Sequence, residues 1–385
     1  MQNKISDSVR YIGVFDTESD LFEGQYKIPE GISYNSYVIF DEKITVMDTV
    51  DISFTDEWLE KLADTLSGKE PHYIVVHHME PDHSASLKRF SEIYKNTVIV
   101  ASLAAFAMMK NFYGIDFSDR RIIAKEGETL DLGKPKLTFI AAPMVHWPEV
   151  IFSYDSFEKI LFSADAFGKF GSTDSENQWD EEAARYYFGI VGKYGAQVSR
   201  LLERLSSIEI KTICSLHGPV LKENIGYHLS LYKDWSSYKP DKQGVVIAYA
   251  SVYGNTKKAA QILAERLKKN GEDNIKLFDL ARCDIHEAVS NAFRYDRLVL
   301  ASITYNASVF PPMKSFIDAL CERGFNGRRV ALIENGSWAP QSAKVMKNLL
   351  NNCENIDIIG STRILSAPNE ATAGELKELA KKITT

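Results

Sequence analysis

From residue 244 to the end of the chain, apolar runs of strand length alternate five times with segments of helical period. GVVIAYA (244–250) precedes a helical stretch from Lys257 to Lys269, NIKLFDL (274–280) one around Ile285 to Phe293, and RLVLASI (297–303) one from Met313 to Cys321. RVALIE (329–334) then precedes Ser342 to Leu350, and IDIIGS (356–361) precedes Ala371 to Lys382. Strands separated by whole helices pair in parallel, and a parallel sheet needs helices over both of its faces. The pattern predicts a doubly wound α/β sheet whose ligand lies beyond the carboxyl ends of the strands. Upstream of it, DWSSYKPDKQ (234–243) is polar, contains Pro240 and reads as a linker.

Charge supports a division at that linker. Residues 244–385 carry 19 Lys/Arg against 15 Asp/Glu, a net +4, whereas residues 1–243 carry 26 against 37, a net −11. The expected domains are therefore 1–243 and 244–385. The total of −7 lacks the concentrated positive field of a nucleic-acid binder. Four cysteines (Cys214, Cys283, Cys321, Cys353) are widely spaced with no CxxC pair and are expected to be unpaired. That spacing disfavours a disulfide scaffold, a zinc finger, a rubredoxin-type centre and a Cys-ligated iron–sulfur cluster. No apolar run approaches ~20 residues, and MQNKISDSVRYIG lacks the apolar core of a signal peptide. A cytoplasmic protein without membrane or nucleic-acid partners is expected.

The loop after the first of the five strands is Ser251-Val252-Tyr253-Gly254-Asn255-Thr256. Small hydroxyl residues, a glycine and backbone amides opening into a helix N-terminus suit a dianionic phosphate. The spacing is neither GxGxxG nor GxxxxGK[ST], which disfavours ordinary dinucleotide or ATP binding. It resembles the phosphate loop of flavodoxins, which implies FMN. The later loops, with Ser302, Thr304, Tyr305, Asn306 and Ala307 after the third strand and Asn335, Gly336, Ser337 and Trp338 after the fourth, offer aromatic and amide groups for an isoalloxazine ring. The alternative for Ser251–Thr256 is a plain β–α turn with a helix cap.

In the N-terminal part, histidines and carboxylates sit at or just beyond the ends of apolar runs. HYIVV (72–76) leads into His77-His78-Met79-Glu80-Pro81-Asp82-His83, LTFIAAPMV (137–145) into His146, KILFSA (159–164) into Asp165, and IKTICSL (210–216) into His217. Five of the eight histidines fall at these places. The constellation resembles the metallo-β-lactamase superfamily, whose loop reads H-x-H-x-D-H, followed by a distant His, Asp and His. Here the second histidine of that loop is Glu80. The inventory becomes four imidazoles (His78, His83, His146, His217) and three carboxylates (Glu80, Asp82, Asp165). Exchanging an imidazole for a carboxylate hardens the site and favours iron over zinc. Asp165 is the best bridging group, since a carboxylate can bind two metals and an imidazole cannot. Neighbouring side chains on a strand point oppositely, so His77 is expected to be structural. Glu149 is expected to be a supporting or surface carboxylate, and Tyr186 and Tyr187 either core aromatics or donors at the site.

The ligand spacing together with a downstream flavodoxin pattern resembles the flavodiiron proteins over essentially the whole chain, including SYNSYVIFDEKITVMDTV (33–50), HWPE (146–149), SADAFG (163–168) and SLHGPV (215–220). The resemblance implies an N-terminal metallo-β-lactamase-like αββα sandwich and a C-terminal flavodoxin-like domain. It implies one iron on His78, Glu80 and His146, and a second on Asp82, His83 and His217, with Asp165 bridging; His83 can alternatively turn aside and leave a water in its place. The implied chemistry is reduction of O2 to water, of NO to N2O, or of both. Two Fe(II) and a reduced FMN together hold the four electrons that O2 requires. It also implies a head-to-tail homodimer or a dimer of dimers, and, in the absence of a CxxC module, an external donor such as rubredoxin. The alternative from another class is a di-zinc hydrolase with an appended flavodoxin module.

Overall fold

The computed structural model describes residues 3–173 and 179–385. The chain divides into two compact units, Met1–Lys233 and Asp234–Thr385.

The first unit is built on two sheets. Its six-stranded sheet runs in the order Val9–Tyr11, Tyr37–Ile39, Thr45–Met47, Tyr73–Val75, Val98–Ala101, Arg121–Ile123. The second and third of these form an antiparallel hairpin, and the strands after it add in parallel. The five-stranded sheet runs Thr129–Asp131, Lys136–Ala141, Ile151–Asp155, Ile160–Phe162, Thr212–Cys214. Period-2 alternation aims one set of side chains from each sheet into a shared core. Val9, Tyr37, Ile39, Met47, Val75 and Val100 meet Leu137, Phe139, Ile151, Ile160, Phe162 and Cys214 there. On the other face of the first sheet, Val38, Val46, Ile74 and Ile99 pack with the helices Thr55–Leu66, Leu87–Ile93 and Leu103–Tyr113. The first of these helices buries Trp58, Leu62 and Leu66 at four-residue intervals, one stripe of a 3.6-residue period. Each such side chain contributes about 1.5–3 kcal/mol by leaving water. The helix Gly195–Leu205 is held to the second sheet by Arg204, which donates to the Ala141 carbonyl and to Glu126.

The second unit has the expected five parallel strands and five helices, plus a two-residue strand, Ser308–Val309, that folds back antiparallel on the third. Its parallel sheet runs Ile275–Asp279, Lys242–Ala250, Tyr295–Tyr305, Arg329–Gly336, Asp357–Leu365. In chain order that is 2-1-3-4-5, the flavodoxin-like order. Val245 to Ala250 are all buried, as a strand covered on both faces requires.

One expectation is overturned here. Cys321 and Cys353 are joined by a disulfide, with their Cα atoms 5.1 Å apart across a sequence separation of 32. The helices Pro311–Glu322 and Ser342–Leu350 pack side by side, which brings the end of one to the turn after the other. Sequence spacing carries no trace of that neighbourhood. Cys214 and Cys283 are free thiols. Among the described residues, no helix is long and apolar enough to cross a membrane.

Candidate metal centre and loop cavity

The strand Tyr73–Val75 delivers the first group of polar residues. His77 turns to one side, where Nδ1 lies 2.5 Å from Asp48 Oδ2 and Nε2 lies 2.7 Å from Ser153 Oγ. His78 turns to the other, as alternation along an extended chain requires. Glu80 then stands at the N-cap position of the short helix Pro81–Ser84 with its side chain left free of capping, Pro81 fixes the first turn, and Asp82 and His83 follow on that turn. His146, Asp165 and His217 come from the segments after Lys136–Ala141, Ile160–Phe162 and Thr212–Cys214 of the second sheet. The ends of both sheets thus supply one buried cluster.

The side chains fall into two groups around Asp165. His78 Nε2 lies 3.3 Å from His146 Nε2, 3.2 Å from Glu80 Oε2 and 3.4 Å from Asp165 Oδ2. His146 Nε2 is 3.1 Å from Glu80 Oε2 and 3.1 Å from Asp165 Oδ2. On the other side, His83 Nε2 lies 3.0 Å from His217 Nε2, 3.2 Å from Asp82 Oδ2 and 3.1 Å from Asp165 Oδ1. A cation about 2.1 Å from each ligand sets neighbouring ligand atoms about 3.0–3.4 Å apart, so both groups have the spacing of a coordination shell. Both oxygens of Asp82 and Oδ1 of Asp165 are buried without a hydrogen-bonded partner. Such orphaned acceptors are costly unless a cation meets them. The residues fit a pair of metal ions.

Charge leads to the same conclusion. Burial works against a charge on His78, yet Asp165, Glu149 and Glu80 outweigh it and hold the imidazole well above its ordinary value. His146 is likewise pushed up to about 9 despite burial, by Asp165 and Glu80. Burial pushes Asp82 up to about 7, with Glu80 and Asp165 adding to the effect and His83 opposing it. His217 is lowered by burial. The cluster therefore gathers protons to balance its carboxylates, a balance that metal ions would supply instead.

Supporting contacts orient the rings. His78 Nδ1 lies 2.7 Å from Glu149 Oε1, and His217 Nδ1 lies 2.7 Å from the Ser33 carbonyl. Each contact leaves Nε2 facing the cluster. Three neighbours, Phe22, Tyr34 and Glu23, carry no metal-binding signal in the sequence. Phe22 and Tyr34 set their rings edge-on to His217 at 5.3 and 6.0 Å. Glu23 is exposed as a residue, yet its carboxyl tucks in beside Glu80 and is pushed up to about 7 by burial and by that neighbour's charge. Tyr186 is buried with its ring 5.3 Å from His217, and its hydroxyl has no hydrogen-bond partner. Tyr187 is also buried.

In the second unit, a cavity of about 470 Å³ opens at the carboxyl ends of the strands. Val252, Tyr253, Thr304, Tyr305, Asn306, Ala307, Gly336, Ser337 and Trp338 line it, and so do Ile303, Ala339 and Gln341, which belong to the same loops. Asn306 and Ala307 form a two-residue hairpin turn with φ of 48° and 55°, the left-handed pair of a type I′ turn. Tyr253 and Trp338 are 90% and 83% exposed, aromatic faces with nothing yet packed on them. Ser251 Oγ accepts the Gly254 N–H at 3.1 Å, and Gly254, at φ 88°, opens the helix Asn255–Lys269 with no acidic residue in its first turn. That is an anion cradle. Ser302 and Asn335 are buried rather than on the cavity wall: Ser302 Oγ donates to the Ile303 carbonyl, and Asn335 Nδ2 to Thr256 Oγ1 and the Ser366 carbonyl. The Oδ1 of Asn335 has no partner. The loops fit an aromatic group carrying a phosphate.

These features define a class: a metallo-β-lactamase-like metal domain followed by a flavodoxin-like domain. A family model described as ODP family beta lactamase matches residues 32–218, and one described as Flavodoxin domain matches residues 246–361. The chain is 31% identical over 327 residues to a nitric oxide reductase of Moorella thermoacetica, covering 82% of this chain and 81% of that one. It superposes on the rubredoxin oxygen:oxidoreductase of Desulfovibrio gigas with a TM-score of 0.91 at 26% identity, covering 99% of this chain and 97% of that one. The flavodiiron protein of Giardia intestinalis superposes with a TM-score of 0.91 at 27% identity, covering 99% and 96%. The chain belongs to the flavodiiron protein family and is an oxidoreductase. These relatives do not favour the hydrolase alternative.

Proposed function

We propose that the chain reduces O2 to water, NO to N2O, or both, at a non-haem iron pair supplied with electrons through FMN. The carrying observation is the orientation of Asp165, whose Oδ2 faces His78 and His146 while Oδ1 faces His83. One carboxylate placed in that way serves two ions. His78, Glu80 and His146 would hold one iron, and Asp82, His83 and His217 the other. When bound, the iron pair and FMN supply the stored electrons and the positions at which a small gas is reduced. The protein's part is to fix the imidazoles through Glu149 and Ser33, and to keep Tyr186 and Phe22 close over the cluster.

In this reading residues 1–243 are the diiron domain and residues 244–385 the FMN domain. Ser251 to Thr256 take the phosphate, while Tyr305 and Trp338 flank the ring. The name of the Desulfovibrio gigas relative supports a rubredoxin-type external donor. The acidic first part and basic second part suit a head-to-tail homodimer, or a dimer of dimers, in the cytoplasm. Metal and flavin analysis of the purified protein tests the assignment. About two irons and one FMN per chain are expected; two zincs with lactam or thioester hydrolysis would overturn it.

A further inference from the structure

The two helices joined by the Cys321–Cys353 disulfide are those that begin at the walls of the loop cavity. Pro311–Glu322 starts six residues after Tyr305, and Ser342–Leu350 starts four residues after Trp338. At this end the second helix is tied to the strand Tyr295–Tyr305, which carries Tyr305. Thr304 Oγ1 accepts the N–H groups of Gln341 and Ser342 at 2.9 and 3.0 Å, and Ser342 Oγ donates to the Ser302 carbonyl at 3.0 Å. At the far end the disulfide ties that helix to its neighbour Pro311–Glu322. Its two residues are only partly buried, so a small thiol can reach the bond. In a reducing compartment an accessible disulfide of this kind is a changeable bond rather than a permanent one.

We propose that Cys321 and Cys353 form a reversible two-electron thiol–disulfide site that sets how tightly the cavity holds FMN. The proposal rests on the reading of that cavity as the FMN site. Oxidation uses a low-molecular-weight disulfide of the glutathione class. One cysteine thiolate attacks it, forming a mixed disulfide and releasing one small thiol. The second cysteine then attacks the cysteine sulfur of that mixed bond, closing Cys321–Cys353 and releasing the second small thiol. Two electrons and two protons pass from the cysteine pair to the small disulfide. In the reduced form the Cys321 thiol has an acceptor at hand, the Leu349 carbonyl 3.8 Å from its sulfur, and the covalent tie between the helices is gone. FMN must then order the walls that carry Tyr305 and Trp338 on binding, which weakens its affinity. Linkage makes the effect mutual: bound FMN makes the disulfide harder to reduce by the same factor.

The test uses the full-length protein in buffers of oxidised or reduced glutathione, with FMN affinity followed by flavin fluorescence and thiols counted after denaturation. The oxidised protein is expected to show two thiols and the reduced protein four, with FMN bound about five- to tenfold more tightly by the oxidised form. A tenfold difference corresponds to ~30 mV in the disulfide potential between FMN-bound and FMN-free protein. The Cys321→Ser/Cys353→Ser double variant should bind FMN like the reduced protein in both buffers. Four thiols in the oxidised buffer, or equal FMN affinity while the thiol count changes, overturns the proposal. Failure of every form to bind FMN instead overturns the assignment of the cavity.

Discussion

Nδ1 of His78 lies 2.7 Å from Oε1 of Glu149, and the same oxygen takes the backbone N–H of Met79 at 2.8 Å. One buried carboxylate therefore fixes both the ring and the main chain that carry the first of the seven cluster residues. Loss of such a supporting carboxylate typically costs 10–100-fold in metal affinity. Glu149→Ala is expected to fall at the upper end of that range. Glu149→Gln, which keeps a carbonyl acceptor, should fall at the lower end. Iron content after dialysis against a chelator measures both.

Asp165 turns one oxygen to each half of the cluster. In Asp165→Asn one of these oxygens becomes an amide nitrogen, which has no lone pair to give to a cation. The variant should retain at most about one metal ion per chain, and its gas turnover should fall at least about 100-fold, as removal of an essential interaction worth ~3 kcal/mol produces. Metal analysis and oxygen-electrode rates on the same sample check the two effects together.

The Tyr186 hydroxyl is buried beside His217 without a partner. Its pKa is held well above the ordinary value by burial and by the charges of Asp165, Glu80 and Asp82, so it stays a proton donor. A hydrogen bond to a charged group contributes about 1.5–3 kcal/mol. Tyr186→Phe should therefore lower kcat by roughly 10–100-fold. The ring packing is unchanged, so iron content and Tm should remain those of the parent protein.

Trp338 is almost wholly exposed, so its removal should leave the unfolding free energy of the FMN-free protein within about 0.5 kcal/mol of the parent's. Aromatic stacking contributes about 1–3 kcal/mol per ring. Trp338→Ala should accordingly raise the Kd for FMN by roughly 5–100-fold, a change that flavin fluorescence reads directly.

Legibility in the sequence followed physical locality. The β–α units of the second domain were readable because both strand and helix have short periods. The convergence of His78, His146, Asp165 and His217 was readable because apolar runs stop where each site residue begins. The Cys321–Cys353 bond was not readable, since helix packing rather than spacing brings those residues together. Phe22 and Glu23 were missed for a similar reason. They sit on the small hairpin Leu21–Phe22/Tyr26–Lys27, whose sequence has no metal-binding pattern. Ser302 and Asn335 show the opposite limit: a loop motif marks a region, and the backbone decides which of its side chains turn inward.

The central claim is tested most directly by mixing the anaerobic, fully reduced protein, carrying iron and FMN, with a known amount of O2 or NO and following flavin absorbance and gas concentration together. Reoxidation of the flavin within the mixing experiment is expected, with about one O2 consumed per chain for the four electrons stored, or NO consumed with N2O formed. A flavin that stays reduced while both gases persist would contradict the account.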